Sequence, residues 1–398
     1  MTTPSLLVVV QRYGDIAGGG AEPHARSLVQ RLAPHFDVEV ATTTARDYWT
    51  WENEFTAGQT VVDGVPVRRF AVERGRAKDF RLHERRAFSK THTLADERAF
   101  VEAQGPVAPD LLEYVHRRSR EVDHVLFFTY IYYPTVMGLP LAPERAVLVP
   151  TAHDEPAIRL AIYKPVFCAP RAIAFNTAEE RAMVHTLFRN ERVPNEIAGV
   201  GVDVPTDRSA DRFRQRYAIE GPYFLYVGRI VESKQCGQLF DAFARWQDAQ
   251  GTRATLVLMG HREMPVPERP DIRLLGRTSD EDKFDALAGC VALVQPSLLE
   301  SLSIIALEAW ACGRPVICDA RSPVVWGMTY RAGAGLAYRS AAELAEICEM
   351  LIGRPTIASR LGASGQSFVE RTYTWARVVE TYLDLFAEVR ARNALAGH

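Results

Sequence analysis

The chain opens with a short β-branched run, Leu6 to Val10, that breaks into a polar loop, Gln11-Arg-Tyr-Gly-Asp-Ile-Ala-Gly-Gly-Gly20. Ala25, Leu28, Val29 and Leu32 then share one face of a helix, and Val38 to Thr42 reads as the next strand. A strand, a loop, an amphipathic helix and a second strand pack as a parallel pair with the helix laid over one face. Further strands are expected at Val67–Val72, Val125–Phe128, Ala146–Val149 and Ala172–Phe175. After about residue 203 the pattern starts again. Strands are expected at Pro222–Val227, Ala254–Met259, Ile272–Leu275, 291–295 and 315–318, with helices near Gly237–Gln247, at 280–289 and at 304–312. Two such series predict an α/β fold of two Rossmann-like, doubly wound domains facing across a cleft. The joint is placed near 203–215, where Asp203, Pro205 and Asp207 interrupt the pattern, which gives domains 1–205 and 206–375. Trp375, Val378, Val379, Tyr382, Leu385 and Phe386 follow helical spacing in the tail.

The totals narrow the function classes. At 398 residues the chain is long enough for two domains, and 47% hydrophobic with 24% charged residues is a globular balance. A net charge of -2 gives no general reason to bind nucleic acid. The six cysteines hold no C-x-x-C and no regular spacing, so they read as reduced thiols of a cytoplasmic protein. No basic stretch precedes the first apolar run, and no apolar run reaches about 18 residues, so neither a signal sequence nor a spanning helix is expected.

Four segments carry chemistry. Gly18, Gly19 and Gly20 precede a helix, where glycine permits close backbone approach to a ligand, or simply a flexible turn. Their spacing is not the dinucleotide fingerprint G-x-G-x-x-G. In Tyr226-Val-Gly-Arg-Ile-Val-Glu-Ser-Lys234, a strand ends at Gly228, and Arg229 and Lys234 follow it. The pair suits a diphosphate clamp, Arg by its planar fork and Lys as a point charge; the alternative is a surface pair neutralised by Glu232. In Val149-Pro-Thr-Ala-His-Asp-Glu-Pro156, His153 lies just past a strand's C-terminal end, where open α/β sheets collect ligands. It is placed to hydrogen-bond a sugar hydroxyl or to handle a proton. In Pro296–Val316, Glu300 and Glu308 stand eight positions apart around a helix start. The helix amides and dipole favour an anion there, and the carboxylates suit hydroxyl groups. Phosphate on amides with hydroxyls on carboxylates describes a sugar nucleotide.

One stretch stands apart by charge: residues 74 to 90 hold seven Lys/Arg against two acids, with Phe80, Leu82 and Phe88 among them. It is either a solvated surface or a peripheral contact with an anionic acceptor or membrane surface. Phe127, Phe128, Tyr130, Tyr132 and Tyr133 are either core or sugar-stacking aromatics.

Taken in order, these motifs resemble those of the retaining glycosyltransferases of family 4, of bacterial type, over nearly the whole chain. Gly18-Gly-Gly-Ala-Glu-Pro-His24 looks like that family's acceptor-side loop, and His153 matches its histidine near the donor sugar. Gly228-Arg229 with Lys234 matches its pair on the donor phosphates, and Glu300 and Glu308 match its paired glutamates. The resemblance implies the GT-B fold, with the tail helix 376–398 packing back on the N-terminal domain. It places the donor hexose on Glu300, the ribose on Glu308 and the distal phosphate on the amides of Leu302, Ser303 and Ile304. It puts the nucleobase at the Gly276-Arg277 turn. The sequence departs from the common pattern at Glu300-Ser-Leu-Ser, with Ile305 where a proline is usual; Ser301 or Ser303 is then expected to cap the helix.

The implied reaction moves a sugar from a nucleotide-diphosphate sugar to a hydroxyl of a carbohydrate or lipid-linked acceptor, with no resident cofactor or metal. His153, Arg229, Lys234 and Glu300 are the expected catalytic residues. The alternatives are an epimerase-like enzyme on the same architecture, or a silent sugar-nucleotide-binding protein.

Overall fold

The computed structural model of the protein describes residues 3–14, 20–251 and 253–396. The chain forms two compact units: residues up to Val200 together with those from Val378, and Gly201–Arg377. The division falls a few residues before the expected joint, and the reason is local. Gly201 lies against Trp375, where a Cβ would come within 2.5 Å of the indole, and the Val202 N–H donates to the Tyr373 carbonyl at 3.2 Å. Residues from Gly201 are therefore held by the second unit before Pro205 is reached.

The first unit is built on strands β1 (Ser5–Val9), β2 (Asp37–Thr43), β3 (Gly58–Val62), β4 (Val65–Phe70), β5 (His124–Phe128), β6 (Ala146–Val149), β7 (Ala172–Phe175) and β8 (Asn195–Ile197). They order as β3-β4-β2-β1-β5-β6-β7-β8, parallel except for the β3–β4 hairpin. β1, β5, β6 and β7 are almost wholly buried runs of Val, Leu, Ile, Ala and Phe, as strands covered on both faces must be. The sequence reading passed over β3 and β8 because they are polar edge strands with no core face to betray them.

Ala25, Leu28, Val29 and Leu32 are all fully buried on the Ala21–Leu32 helix. In the Trp375–Ala396 helix, Val378, Tyr382, Leu385, Phe386 and Val389 form the buried stripe. Phe386 meets Phe36 and His124 at ring-centroid distances of 5.1 and 4.7 Å, and the Asn393 side chain donates to the Glu144 carbonyl. Phe127, Phe128, Tyr130 and Tyr133 are core; Tyr132 alone of the five aromatics is half-buried.

The basic segment folds as an ordered surface. Arg74 meets Glu102, Arg81 meets Glu84, and Arg86 meets Asp96 at 3.3, 2.7 and 2.5 Å. Arg76 donates to the carbonyls of Trp49 and Tyr48 and lies over the rings of Trp49 and Phe80. Much of the charge that distinguishes the segment in sequence is thus matched by Glu84 within it and by acids and carbonyls beyond it. Among the described residues, no helix is long and apolar enough to cross a membrane.

The second unit contains β9 (Tyr223–Val227), β10 (Thr255–Met259), β11 (Ile272–Gly276), β12 (Ala292–Gln295), β13 (Val316–Asp319) and β14 (Gly335–Tyr338). They form one parallel sheet in the order β11-β10-β9-β12-β13-β14. The chain winds outward from β9 to β11, then crosses back to β12 and winds the other way. The order therefore reverses between β9 and β12, and the loops leaving these two strands diverge there, which is where an open α/β sheet forms its crevice. The six cysteines are all free, and Cys236, Cys290, Cys318 and Cys348 are buried.

Candidate functional site

The two loops that leave the switch point of the second unit are joined by one ion pair. Lys234 follows β9 and Glu300 follows β12, and Lys234 Nζ lies 2.6 Å from Glu300 Oε1. Both side chains are only partly buried, at 25% and 14% exposed, so the pair is neither a core bridge nor a fully solvated one. Glu232, the alternative partner for Lys234, instead lies beside Gly237 in the Cys236–Gln250 helix. Arg229 approaches Glu263 at 3.8 Å, and its carbonyl accepts from the Tyr226 hydroxyl at 2.6 Å.

Three glycines line the C-terminal ends of adjacent strands. Gly228 follows β9, Gly260 follows β10 and Gly276 ends β11. Gly228 N–H donates to the Met259 carbonyl at 2.9 Å, and Gly260 N–H to the Gly276 carbonyl at 2.7 Å. A Cβ on Gly260, whose φ is +140°, would stand 1.9 Å from the Gly228 carbonyl oxygen. Only glycine fits that position, and the result is a row of bare backbone on one edge of the sheet. Gly260 escaped the sequence reading because the Met-Gly-His context carries no motif. Arg277, next to Gly276, is exposed.

The loop from Pro296 to Ser303 is held from below. Gln295, the last residue of β12, donates from Nε2 to the Ser303 hydroxyl at 3.0 Å, and both side chains are buried. Ser303 is the N-cap residue of the Ile304–Ala311 helix, yet its side chain makes no cap bond, contrary to the expected cap. The ladder begins with Ala306 and Leu307 donating to the Ser303 carbonyl. The amides of Leu302, Ser303 and Ile304 precede that ladder, and the positive end of the helix dipole lies at them. A polar side chain ending an otherwise apolar strand was the signal that could have revealed Gln295.

Glu308 lies one turn into the same helix and is paired with Lys283, at 2.8 Å, from the Asp280–Gly289 helix. Lys283 also meets Asp280 at 3.1 Å. Burial pushes the Glu308 carboxyl above its ordinary range, and Lys283 opposes that shift without cancelling it. Lys283 was not anticipated, because its partner is 25 positions away.

His153 and Gly20 belong to the first unit, and Gly19 lies outside the described residues. His153 Nδ1 is 3.3 Å from Glu155 Oε1, which also accepts from the Tyr130 hydroxyl at 2.6 Å. Thr129 and Thr151, beyond the ends of β5 and β6, have φ of +66° and +47°. A β-branched residue in that region is strained, and such strain gathers where a side chain must be presented in one orientation. Beyond β1, Arg12 and Glu22 form a pair at 2.7 Å with 2% and 6% of their side chains exposed. Gln11 adds a hydrogen bond to the same Glu22 oxygen, Arg12 also reaches the Arg46 carbonyl, and its guanidinium lies 5.4 Å from the Tyr48 ring centre. His24, edge-on to Phe128, is pushed down to about 3 by burial and stays neutral. The clefts of about 390 and 360 Å³ in this unit are elsewhere, the larger lined by Leu6, Asp37, Glu39, Arg68 and Tyr114 near the strand starts.

The structure thus unites Lys234 with Glu300, sets Gly228 and Gly276 on either side of Gly260, and places Glu308 one turn beyond the loop that carries Glu300. Among the described residues no group of three or more His, Cys, Asp or Glu gathers as a metal site would.

Comparison with known proteins agrees with this architecture. Residues 221–354 match the family described as glycosyl transferases group 1. The chain is 30% identical over 236 residues to a D-inositol 3-phosphate glycosyltransferase of Frankia alni, covering 53% of this chain and 57% of that protein. It spans only 51% to 64% of the first curated relatives it matches. Its backbone is similar to that of sucrose-phosphate synthase from Thermosynechococcus elongatus, with a TM-score of 0.73 at 17% identity over 98% of this chain and 100% of that one. It is also similar to Anabaena HepE in complex with UDP and glucose, with a TM-score of 0.68 at 15% identity over 96% and 99%. The chain therefore carries a glycosyl transferases group 1 domain, at residues 221–354, on the GT-B fold of two Rossmann-like sheets.

Proposed function

We propose that this protein is a retaining, family 4 glycosyltransferase that moves a sugar from a nucleotide-diphosphate donor to an acceptor hydroxyl. The observation that carries the reading is the Lys234–Glu300 pair across the switch point of the second unit. A cation and a carboxylate that hold each other at a ligand crevice can be exchanged for a ligand offering both phosphate and hydroxyls. Lys234 then turns to the diphosphate with Arg229, and Glu300 turns to the hexose. The amides of Leu302, Ser303 and Ile304 take the distal phosphate, Glu308 the ribose hydroxyls, and the Gly276-Arg277 turn the base. His153 is assigned to hydrogen-bond a sugar hydroxyl or to handle a proton.

Double displacement needs a carboxylate nucleophile at the anomeric carbon. Glu300, which neutralises Lys234, is assigned to the sugar hydroxyls instead. The acceptor hydroxyl attacks from the face the diphosphate leaves, and a phosphate oxygen takes its proton. Arg229, Lys234 and the helix amides stabilise the charge on the leaving group, so the reaction needs no resident cofactor or metal. The acceptor is a carbohydrate or lipid-linked hydroxyl; the relatives include a protein named for D-inositol 3-phosphate and one named for a phosphatidylinositol mannoside.

The test is a thermal-shift screen of UDP, GDP and ADP and their sugars. A specific ligand at 100 times its Kd adds about 2.7 kcal/mol of stability. One nucleotide series should raise the melting temperature in wild type and fail to do so in Lys234→Ala. No response to any diphosphate would remove the reading, and release of nucleotide without sugar transfer would favour a different sugar-nucleotide enzyme.

A further inference from the structure

Glu180 is a carboxylate buried to 1% exposure near the start of the Ala178–Phe188 helix. Its two oxygens reach two different strand ends. Oε1 accepts the Ala152 N–H at 2.5 Å, and Oε2 accepts the Asn176 N–H at 2.6 Å. Ala152 lies beyond β6 and Asn176 beyond β7, and these strands pair in register, Val147 with Ala172 and Leu148 with Ile173. Thr177 fixes the carboxylate's own backbone, because its hydroxyl accepts the Glu180 N–H at 3.1 Å. The result is a tether between two loops at one edge of the sheet.

We propose that Glu180 is a positioning residue for His153, acting through the backbone amide of Ala152. The assignment rests on the reading of His153 given above. Thr151 holds φ of +47° directly before Ala152, a conformation a β-branched residue keeps only when its neighbours enforce it. The hydrogen bond from the Ala152 amide to Glu180 supplies that enforcement and fixes the residue from which His153 departs. Burial raises the Glu180 carboxyl to about 8, against the three backbone amides that favour its charged form. The ionisable group facing it from another packed element is Tyr382 of the Trp375–Ala396 helix, a phenol raised by its own burial and by Glu180. Protonation of Glu180 leaves one oxygen bearing a hydrogen, weakens the hold on one amide and loosens the His153 loop.

The experiment uses the full chain without ligand, labelled with ¹⁵N and with ¹³C in the histidine rings, and His153 is assigned by its loss in His153→Asn. In wild type, the Ala152 and Asn176 amides should move together through one midpoint near pH 8, and the His153 ring should register the same midpoint. In Glu180→Gln, that shared titration should vanish and the His153 resonance should shift. With a donor found by the screen, turnover should fall by about 10²-fold, as for an angstrom of misplacement, with UDP and GDP affinities unchanged. Amides that titrate separately or stay still in wild type would overturn the tether, as would a folded Glu180→Gln whose His153 resonance is unmoved. If Glu180→Gln does not fold, the wild-type titration decides. Because the resonance measurements need no donor, they test Glu180 even where the transferase reading fails.

Discussion

The two units each have a switch point, and they equip it in opposite ways. In the second unit the charges that meet there, Lys234 and Glu300, are partly exposed and pair with each other at 2.6 Å. In the first unit the corresponding strand end carries Arg12 and Glu22, sealed from water and satisfied several times over by Gln11, the Arg46 carbonyl and an aromatic face. A partly exposed pair costs less to break than a buried one and can be exchanged for ligand groups. A buried pair resists exchange, because separating it strands a charge in a medium of low dielectric. The second unit therefore carries an exchangeable pair at its switch point, and the first a sealed one.

The contrast is broken most directly by removing one member of each pair. Glu22→Gln should destabilise the protein by about 3–5 kcal/mol, since it leaves Arg12 buried and unpaired. Urea unfolding measures this, and a loss below that of Lys234→Ala would erase the distinction. Lys234→Ala should cost about 1 kcal/mol or less in stability. Turnover should drop roughly 10²–10³-fold in that variant and in Arg229→Ala, the loss typical of one electrostatic donor. Retained rates in both would show that neither cation serves the leaving group.

Gly260→Ala sharpens the picture on the backbone side. The added Cβ collides with the Gly228 carbonyl, so β9 and β10 must separate at their ends. Stability should fall by about 1–3 kcal/mol, as for other overpacked sites, and nucleotide binding should weaken with it. An unchanged melting temperature and Kd would mean that the glycine row is incidental.

A last effect is a slope with pH. The Glu180 carboxyl loses its proton near 4.5 in the unfolded chain and near 8 in the folded one. Between those values the unfolded state binds fewer protons, so this group makes unfolding free energy fall as pH rises. Glu180→Gln should flatten that part of the profile whatever its effect on absolute stability. An identical slope in both proteins would show that Glu180 ionises freely in the fold.

What could be read in advance followed local rules. The buried strands announced themselves as β-branched runs, and the helix faces at Ala25–Leu32 and Val378–Phe386 by their spacing. β3 and β8 gave no such sign, because they are short, largely polar and exposed or half-exposed. The candidate residues Arg229, Lys234, His153, Glu300 and Glu308 were visible because each follows a strand or opens a helix. Their partners were not: Lys283 lies 25 positions from Glu308, Glu180 28 from Ala152, and Lys234 66 from Glu300.

The sequence by itself determined the two α/β series and the kinds of side chain placed at their strand ends, since hydrophobic period and backbone chemistry act over a few residues. The tertiary structure alone decided which of those groups face one another. It turned two isolated cations into one paired with Glu300 and one beside Glu263, and made a cap of Ser303 into an acceptor for Gln295. The physical reason is range: propensity is local, whereas ion pairing and burial depend on distances that only the assembled sheet and its crossing connections set.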